Sequence, residues 1–404
     1  MTTMTPVNEQ TQRGRTTLVA FPLGLYALSR LLQLAYLWWM APDDKIRDRL
    51  LAWDGGHFVR VAQEGYPTGY SFDAEGNLTG NGLAFFPAYP MLVRLVHYVT
   101  RLDYGTAAIT VSWLAGAAAA VLLCALFSRL YDERVGLVLT ALFCVQPMSM
   151  VLSMGYSESL FTALVAGMLL CAHRGDWLYA GLLGLGAGLT RPTGAAAAIA
   201  LAVAAGITVY RTRTRAGAGR TGDSAQDGGE EAGTTRTTAA WKPILAAAVA
   251  LAGVPAYLLW VGLRVGDLGA WFDIQTAGWG TTFDYGASSL LFVRDALKGG
   301  DGWIQVSVAW MLIGTVILAV VALSRRVWAP LAVYGVIVLV LVLGQAGYYH
   351  SKPRLLVPAL LILVPPAVAL GRARPRTAAL VVAGVGAFGL WYGSYLITVW
   401  HYAI

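Results

Sequence analysis

Apolar residues along this chain come in long unbroken runs, and polar residues are confined to the stretches between them. A helix that crosses the hydrocarbon core needs roughly 20 apolar residues, and the chain offers about eleven candidate segments. They cover 17–40, 105–128, 134–152, 157–173, 177–190, 193–210, 243–263, 304–323, 327–346, 355–371 and 377–399. The two that flank Arg191 are short enough to form one re-entrant pair. The pattern predicts an all-α polytopic membrane protein. The first run is too long for a signal-peptide core and lacks a small-residue cleavage site, so it reads as a retained anchor.

Composition agrees with the pattern. Of 404 residues, 57% are hydrophobic and only 13% charged, whereas soluble domains carry roughly 25% charge. Fourteen Trp and nineteen Tyr suit a protein with many helix ends at the headgroup level. Cys124, Cys144 and Cys171 all fall inside apolar runs, where small buried residues are expected and a disulfide framework is not.

Charge then orients the chain. With the N-terminus cytoplasmic, basic residues outnumber acidic ones in the inner segments, and the balance reverses on the opposite face. This is the positive-inside pattern, and it accounts for the net charge of +7 without nucleic-acid binding. It predicts a multi-pass plasma-membrane protein with an outside C-terminus. Residues 1–16 are polar and expected to be disordered. Residues 211–241 form a Gly-, Thr- and Arg-rich run that cannot bury a core, so they read as a disordered cytoplasmic linker. The linker separates an N-terminal transmembrane half (17–210) from a C-terminal one (242–404). Two outer regions, about 41–104 and 264–303, are longer than ordinary connectors.

Within the first outer region, MLVRLVHYVTRL puts Met91, Leu92, Leu95, Val96 and Val99 on one helical face and Arg94, His97, Tyr98 and Arg101 on the other. That spacing describes a helix lying in the interface plane. Asn77-Leu78-Thr79 matches a glycosylation acceptor, a pattern too common to carry weight.

The candidate chemistry lies at the outer ends of the runs. In LLAWDGGHFVRVAQEGYP, residues 50–67, Asp54 reads either as the cap of a short helix that stops at Gly65 or as a carboxylate that accepts a proton from an attacking hydroxyl. In the second reading Gly55 and Gly56 leave room for a ligand to approach the backbone. His57, one turn on, can face the same side, or can be a structural hydrogen-bonder. Asp43-Asp44 offers either a solvated turn or a second acid. In SMGYSESLF, Glu158 sits at the mouth of an apolar run, where an ionisable group is solvated, paired or functional; its simple role is to complement a helix dipole. Arg191 of LTRPTG lies at the same depth, and there it can also snorkel to the interface. YYHSKPRLLVP concentrates His350, Lys352 and Arg354 on the face where cations are disfavoured, which points to a fixed anion such as phosphate or to headgroup anchoring. Neither a nucleotide-binding glycine pattern in a strand context nor zinc-ligand spacing is present.

WDGGHF (from Trp53), FFPAYP (from Phe85), YSES (from Tyr156), RPTG (from Arg191) and KPRLLVP (from Lys352) occur in this order. Together they resemble the PIG-V family of mannosyltransferases, of the GT-C superfamily of multi-spanning glycosyltransferases. The resemblance runs from the first helix to about residue 360. It implies a GT-C-type fold whose outer loops carry short interfacial helices. It also implies inverting transfer of mannose from a polyprenyl-phosphate mannose to an extracytoplasmic hydroxyl, with no cofactor. Asp54 would be the general base. Trp53, His57, Glu158 and Arg191 would line the pocket, and His350, Lys352 and Arg354 would attend the donor. Many GT-C relatives pair a second acid with the first; Asp54 has no acidic neighbour, so no metal ligand set is assigned.

Eukaryotic members act on the glycosylphosphatidylinositol precursor. The Ala, Gly and Arg bias of this chain suggests a high-GC bacterium, so only a lipid or glycan acceptor of unspecified kind is expected. A transporter or flippase for a lipid-linked sugar is the alternative, but the two halves show no internal repeat of the sort transporters carry.

Overall fold

The computed structural model describes residues 6–41, 46–220, 240–300, 302–400 and 402. Asp43, Asp44 and the linker stretch 221–239 lie outside the described residues. The first helix, α1 (Pro6–Met40), takes in most of the N-terminal stretch expected to be unstructured. After it come α2 (Ile46–Leu50), α3 (Asp54–Glu64) and α4 (Ala88–Thr100), then the long α5 (Tyr104–Leu130). The shorter α6 (Glu133–Val145), α7 (Glu158–Arg174) and α8 (Trp177–Gly188) precede α9 (Gly194–Arg220), which runs ten residues into the stretch read as linker. Beyond the linker, α10 (Trp241–Leu251) and α11 (Gly253–Val265) continue one another. They lead to α12 (Ala270–Trp279), α13 (Ala287–Gly299), α14 (Trp303–Leu323) and α15 (Ala329–Leu343). The chain closes with α16 (Lys352–Leu355), α17 (Val364–Arg372) and α18 (Pro375–Thr398).

Every apolar run of the sequence contains helix, yet among the described residues only six helices have the length and apolarity to cross a membrane. A seventh span forms if the bent pair Tyr349–Leu355 and Leu360–Arg372, which meet at 73°, counts as one. The difference from eleven has local causes. The run 134–152 stops as a helix at Gln146, whose extended ψ of 156° is what the following Pro147 demands. The runs 177–190 and 327–346 give helices of 12 and 15 residues, too short for the hydrocarbon core. Pro358 interrupts the run 355–371. The result is an all-α, multi-pass membrane architecture. Among the described residues its strand content is one short antiparallel pair, Ser71↔Thr79 and Phe72↔Leu78, plus an isolated bridge between Phe283 and Gln345.

Helices approach closely where small residues face each other, as expected when lipid supplies no hydrophobic drive between them. Gly181 and Gly184 of α8 lie so near Ala246 and Ala250 of α10 that a Cβ on either would come within 2.8 Å of its neighbour. At the other side of the bundle, Arg30 of α1 is fully buried. Its Nη2 donates to the Cys144 carbonyl at 2.6 Å, and its Nη1 donates to the Ser149 carbonyl at 2.5 Å and to Ser153 Oγ at 3.0 Å. A cation there answers the unpaired carbonyls at the C-terminal end of α6. It thereby fixes the turn that leads into Tyr156 and Glu158.

The two large inter-span regions pack on each other. Arg264 donates to the carbonyls of Pro67 (2.6 Å) and Tyr66 (2.9 Å), and the Tyr257 hydroxyl donates to the Phe85 carbonyl at 2.8 Å. Gly80 touches α12 so tightly that a Cβ would stand 2.6 Å from Gly278 Cα. In α4, Leu95 and Val99 are exposed, whereas Leu92 and Val96 of the same apolar face pack against the core.

Candidate active site

The turn before α3 sets the first acid. Trp53 takes φ 53°, ψ −116°, a positive φ that a bulky L-residue rarely adopts, and Asp54 is the first residue of the helix. No side-chain cap hydrogen bond forms at this terminus, which removes the helix-cap reading of Asp54. The other end follows the sequence expectation: α3 stops at Gly65, in a positive-φ conformation of 89°. The space beside Gly55 is filled by protein: a Cβ there would meet the Tyr156 ring at 3.4 Å. The Asp54 carboxylate is directed instead at Arg354, with Oδ2 2.7 Å from Nη2.

Arg354 reaches this position because the bent pair breaks after α16. Its guanidinium carbon stands 5.1 Å from the centroid of the Tyr156 ring, a cation–π contact. Its Nε lies 3.6 Å from Glu158 Oε1, and the same oxygen lies 2.7 Å from Arg191 Nη1. Arg191 Nη1 also donates to Ser157 Oγ at 3.2 Å. Glu158 is 1% exposed. Asp54, Arg354, Glu158 and Arg191 thus form a continuous ladder of alternating charge, in which each buried ion has a counter-ion, as burial requires. The Tyr156 hydroxyl donates to the Ala52 carbonyl at 3.1 Å and Ser112 Oγ donates to the Tyr156 carbonyl at 2.9 Å, which pins the ring beneath the guanidinium.

The ladder forms one wall of a cavity of about 580 Å³, within the range of small-molecule sites. Trp271, Phe272, Trp279, Phe283, Phe86 and Leu341 supply apolar wall, and Gln275, Thr190 and Gln345 add polar groups. A charged patch beside an aromatic, apolar wall suits a ligand with an anionic head and a hydrocarbon body.

The structure brings Asp54, Glu158, Arg191, Lys352 and Arg354 to this one cavity. Lys352 is nevertheless engaged: its ammonium donates to the Val342 carbonyl at 3.0 Å and to the Gln345 carbonyl, closing the C-terminal end of α15. Trp53, His57 and His350 do not line the cavity. The His57 ring stacks on Phe85 with centroids 5.0 Å apart, and meets Trp279 edge-on at 5.8 Å. Burial lowers its pKa below the ordinary histidine value, against an upward pull from Asp54. His350 is buried beside Tyr348 and Tyr349. Among the described residues no three His, Cys, Asp or Glu side chains gather in a way that could hold a metal ion.

Sequence reasoning did not select Tyr156, Ser157 or the aromatic wall. The wall had a signal in AWFDIQTAGW, residues 270–279, where large aromatics crowd a segment outside the spans. Tyr156 had none of its own, because its role depends on a guanidinium nearly two hundred positions away.

Comparison with known proteins adds the following. No curated protein matches the chain. Among solved structures it is similar to the oligosaccharyltransferase of Archaeoglobus fulgidus in complex with Zn and sulfate (TM-score 0.47, 11% identity, 93% of this chain and 53% of that one). It is likewise similar to the archaeal oligosaccharyltransferase AglB from Archaeoglobus fulgidus in complex with an inhibitory peptide and a dolichol-phosphate (TM-score 0.46, 11% identity, 93% and 56%). The chain spans about half the length of these proteins. Residues 40–191, which contain Asp54, Glu158 and Arg191, match the model of the family described as Mannosyltransferase (PIG-V).

Proposed function

We propose that this protein is a membrane glycosyltransferase that transfers mannose, with inversion, from a polyprenyl-phosphate mannose to a hydroxyl of a lipid or glycan acceptor on the extracytoplasmic side of the plasma membrane. The observation that carries the reading is the ladder Asp54–Arg354–Glu158–Arg191 on the wall of an aromatic, apolar cavity. The match of residues 40–191 to the mannosyltransferase family model supports the sugar and the class of reaction.

In the step as written, the acceptor oxygen attacks the anomeric carbon from the face opposite the phosphate. Asp54 takes the acceptor proton, the bond between the anomeric carbon and the phosphate oxygen breaks, and the polyprenyl phosphate leaves with the electron pair. Arg354 and Arg191 are the cations placed to receive the growing negative charge, and fixed charges act strongly in a site shielded from water. No cofactor enters the step. Trp279, Trp271 and Phe283 offer flat apolar faces for the lipid and the sugar.

The test is transfer by the purified chain from polyprenyl-phosphate mannose to a membrane lipid extract, read by mass spectrometry as a hexose gain. Asp54→Asn is expected to abolish the gain while donor binding persists. Near-normal turnover of that variant would remove Asp54 as the base. Absence of any hexose gain with the unaltered chain would remove the transferase reading and favour transport of a lipid-linked sugar.

A further inference from the structure

At the site the charges close on each other. Asp54 and Glu158 balance Arg354 and Arg191, so the group expected to act as base is occupied by the guanidinium expected to meet the leaving phosphate. Arg354 is the hinge of this arrangement. Its Nη1 and Nε have no hydrogen-bond partner among the described residues, and both oxygens of Glu158 lack aligned donors although Arg191 and Arg354 stand close. The ladder therefore holds charges near one another while leaving hydrogen-bonding capacity unused, and a buried polar group without a partner is costly. Lys352 spends two of its three N–H donors on the carbonyls of the α15 end, which leaves it one for an anion. Arg354 and Arg191, joined through one oxygen of Glu158, are the pair that can close on a tetrahedral anion.

We infer that Arg354 is an exchangeable partner: it holds Asp54 in the ladder, and a lipid-linked phosphate entering the cavity takes it over and leaves the Asp54 carboxylate free. Glu158 is the positioning residue, keeping both guanidiniums at the cavity while one of them changes partner. This rests on the proposed reading of Asp54 as base and of the donor as a phosphate ester. It adds an order: the donor binds first, and the base becomes available only in the loaded site. A guanidinium suits the exchange because its fork can bind a carboxylate or a phosphate with the same geometry. The Tyr156 ring beneath it gives the cation a fixed platform in either state.

The exchange has a consequence that simple phosphate binding lacks: Asp54 competes with the ligand, so removing its charge strengthens binding. The experiment measures the affinity of the full-length protein in detergent for a short polyprenyl monophosphate and for the matching uncharged polyprenol. The unaltered chain is expected to prefer the monophosphate. Asp54→Asn is expected to bind it about tenfold more tightly, the size of one charge-assisted hydrogen bond, with polyprenol affinity unchanged. In an Arg354→Lys background, where the ammonium cannot fork between two acceptors, the gain from Asp54→Asn is expected to fall below about threefold. Equal or weaker monophosphate binding by Asp54→Asn overturns the exchange, and so does an undiminished gain in the Arg354→Lys background, which would make Asp54 a merely repelling charge. If monophosphate and polyprenol bind alike in every variant, the phosphate-donor reading falls and takes the exchange with it. A gain in affinity cannot come from misfolding, so the first comparison stands on its own.

Discussion

The carboxylate of Glu158 and the guanidinium of Arg191 meet at 2.7 Å, with the acid side chain 1% and the base 13% exposed. Both lie in the segment that matches the family, and the contact joins the start of α7 to the turn between α8 and α9. Glu158 opens α7, so it complements that helix's dipole as the sequence allowed, and it also forms a buried pair with Arg191 in place of the snorkelling arginine.

Glu158→Gln leaves Arg191 and Arg354 as two neighbouring cations with one remaining carboxylate, Asp54, on the far side of Arg354. Removing one member of a buried ion pair costs about 3–5 kcal/mol. Chemical denaturation in a fixed detergent should show a loss of that order, and an unchanged midpoint would mean that Glu158 is solvated instead.

Lys352→Met separates anion binding from helix closure. Because the ammonium serves the carbonyls of Val342 and Gln345, the variant is expected to lose about 1–3 kcal/mol of stability and to keep its preference for a phosphate over an alcohol head. A stable variant that no longer discriminates the two would assign Lys352 directly to the phosphate.

His57 gives a pH signature. Burial depresses its pKa below 6.5, so the folded protein takes up this proton less readily than the unfolded chain. Its contribution to stability is complete above about pH 6.5 and is lost as pH falls from there through the depressed value. Thermal unfolding between pH 7.5 and 5 should therefore fall less steeply in His57→Asn than in the unaltered chain. Parallel curves would place the imidazole in water.

Orientation can be read with single cysteines, after replacement of the three native ones. Phe72 in the hairpin is exposed, as is Arg325 after α14. A membrane-impermeant maleimide applied to whole cells is expected to label Phe72→Cys and not Arg325→Cys. The opposite pattern would invert the proposed topology.

The helices and most of the ladder were legible in the sequence because both follow from local rules. Long apolar runs fold as helices in lipid, and an acid or cation at the end of such a run is costly unless it has a partner. Which partner it has is not local. Nothing near Asp54 in the chain indicates Arg354, and the cap reading of Asp54 failed because the backbone turns at Trp53. Six or seven helices among the described residues pass as spans by length and composition, in part because prolines 147 and 358 stop helices that composition alone would continue. Lys352 and Arg354 looked alike as cations two residues apart, yet the turn of α16 sends one to backbone carbonyls and the other to carboxylates.

The position of Arg354 also bears on how the protein is made. Asp54, Glu158 and Arg191 precede the stretch 221–239, and Arg354 follows it. An incomplete chain that ends before α16 holds two acids against one base at this depth, a surplus of negative charge that no later part of the first half can cancel. Arrival of α16 neutralises it. The charge balance of the site therefore joins residues from both sides of the stretch 221–239, and a chain truncated before α16 keeps both acids with only one of the two guanidiniums.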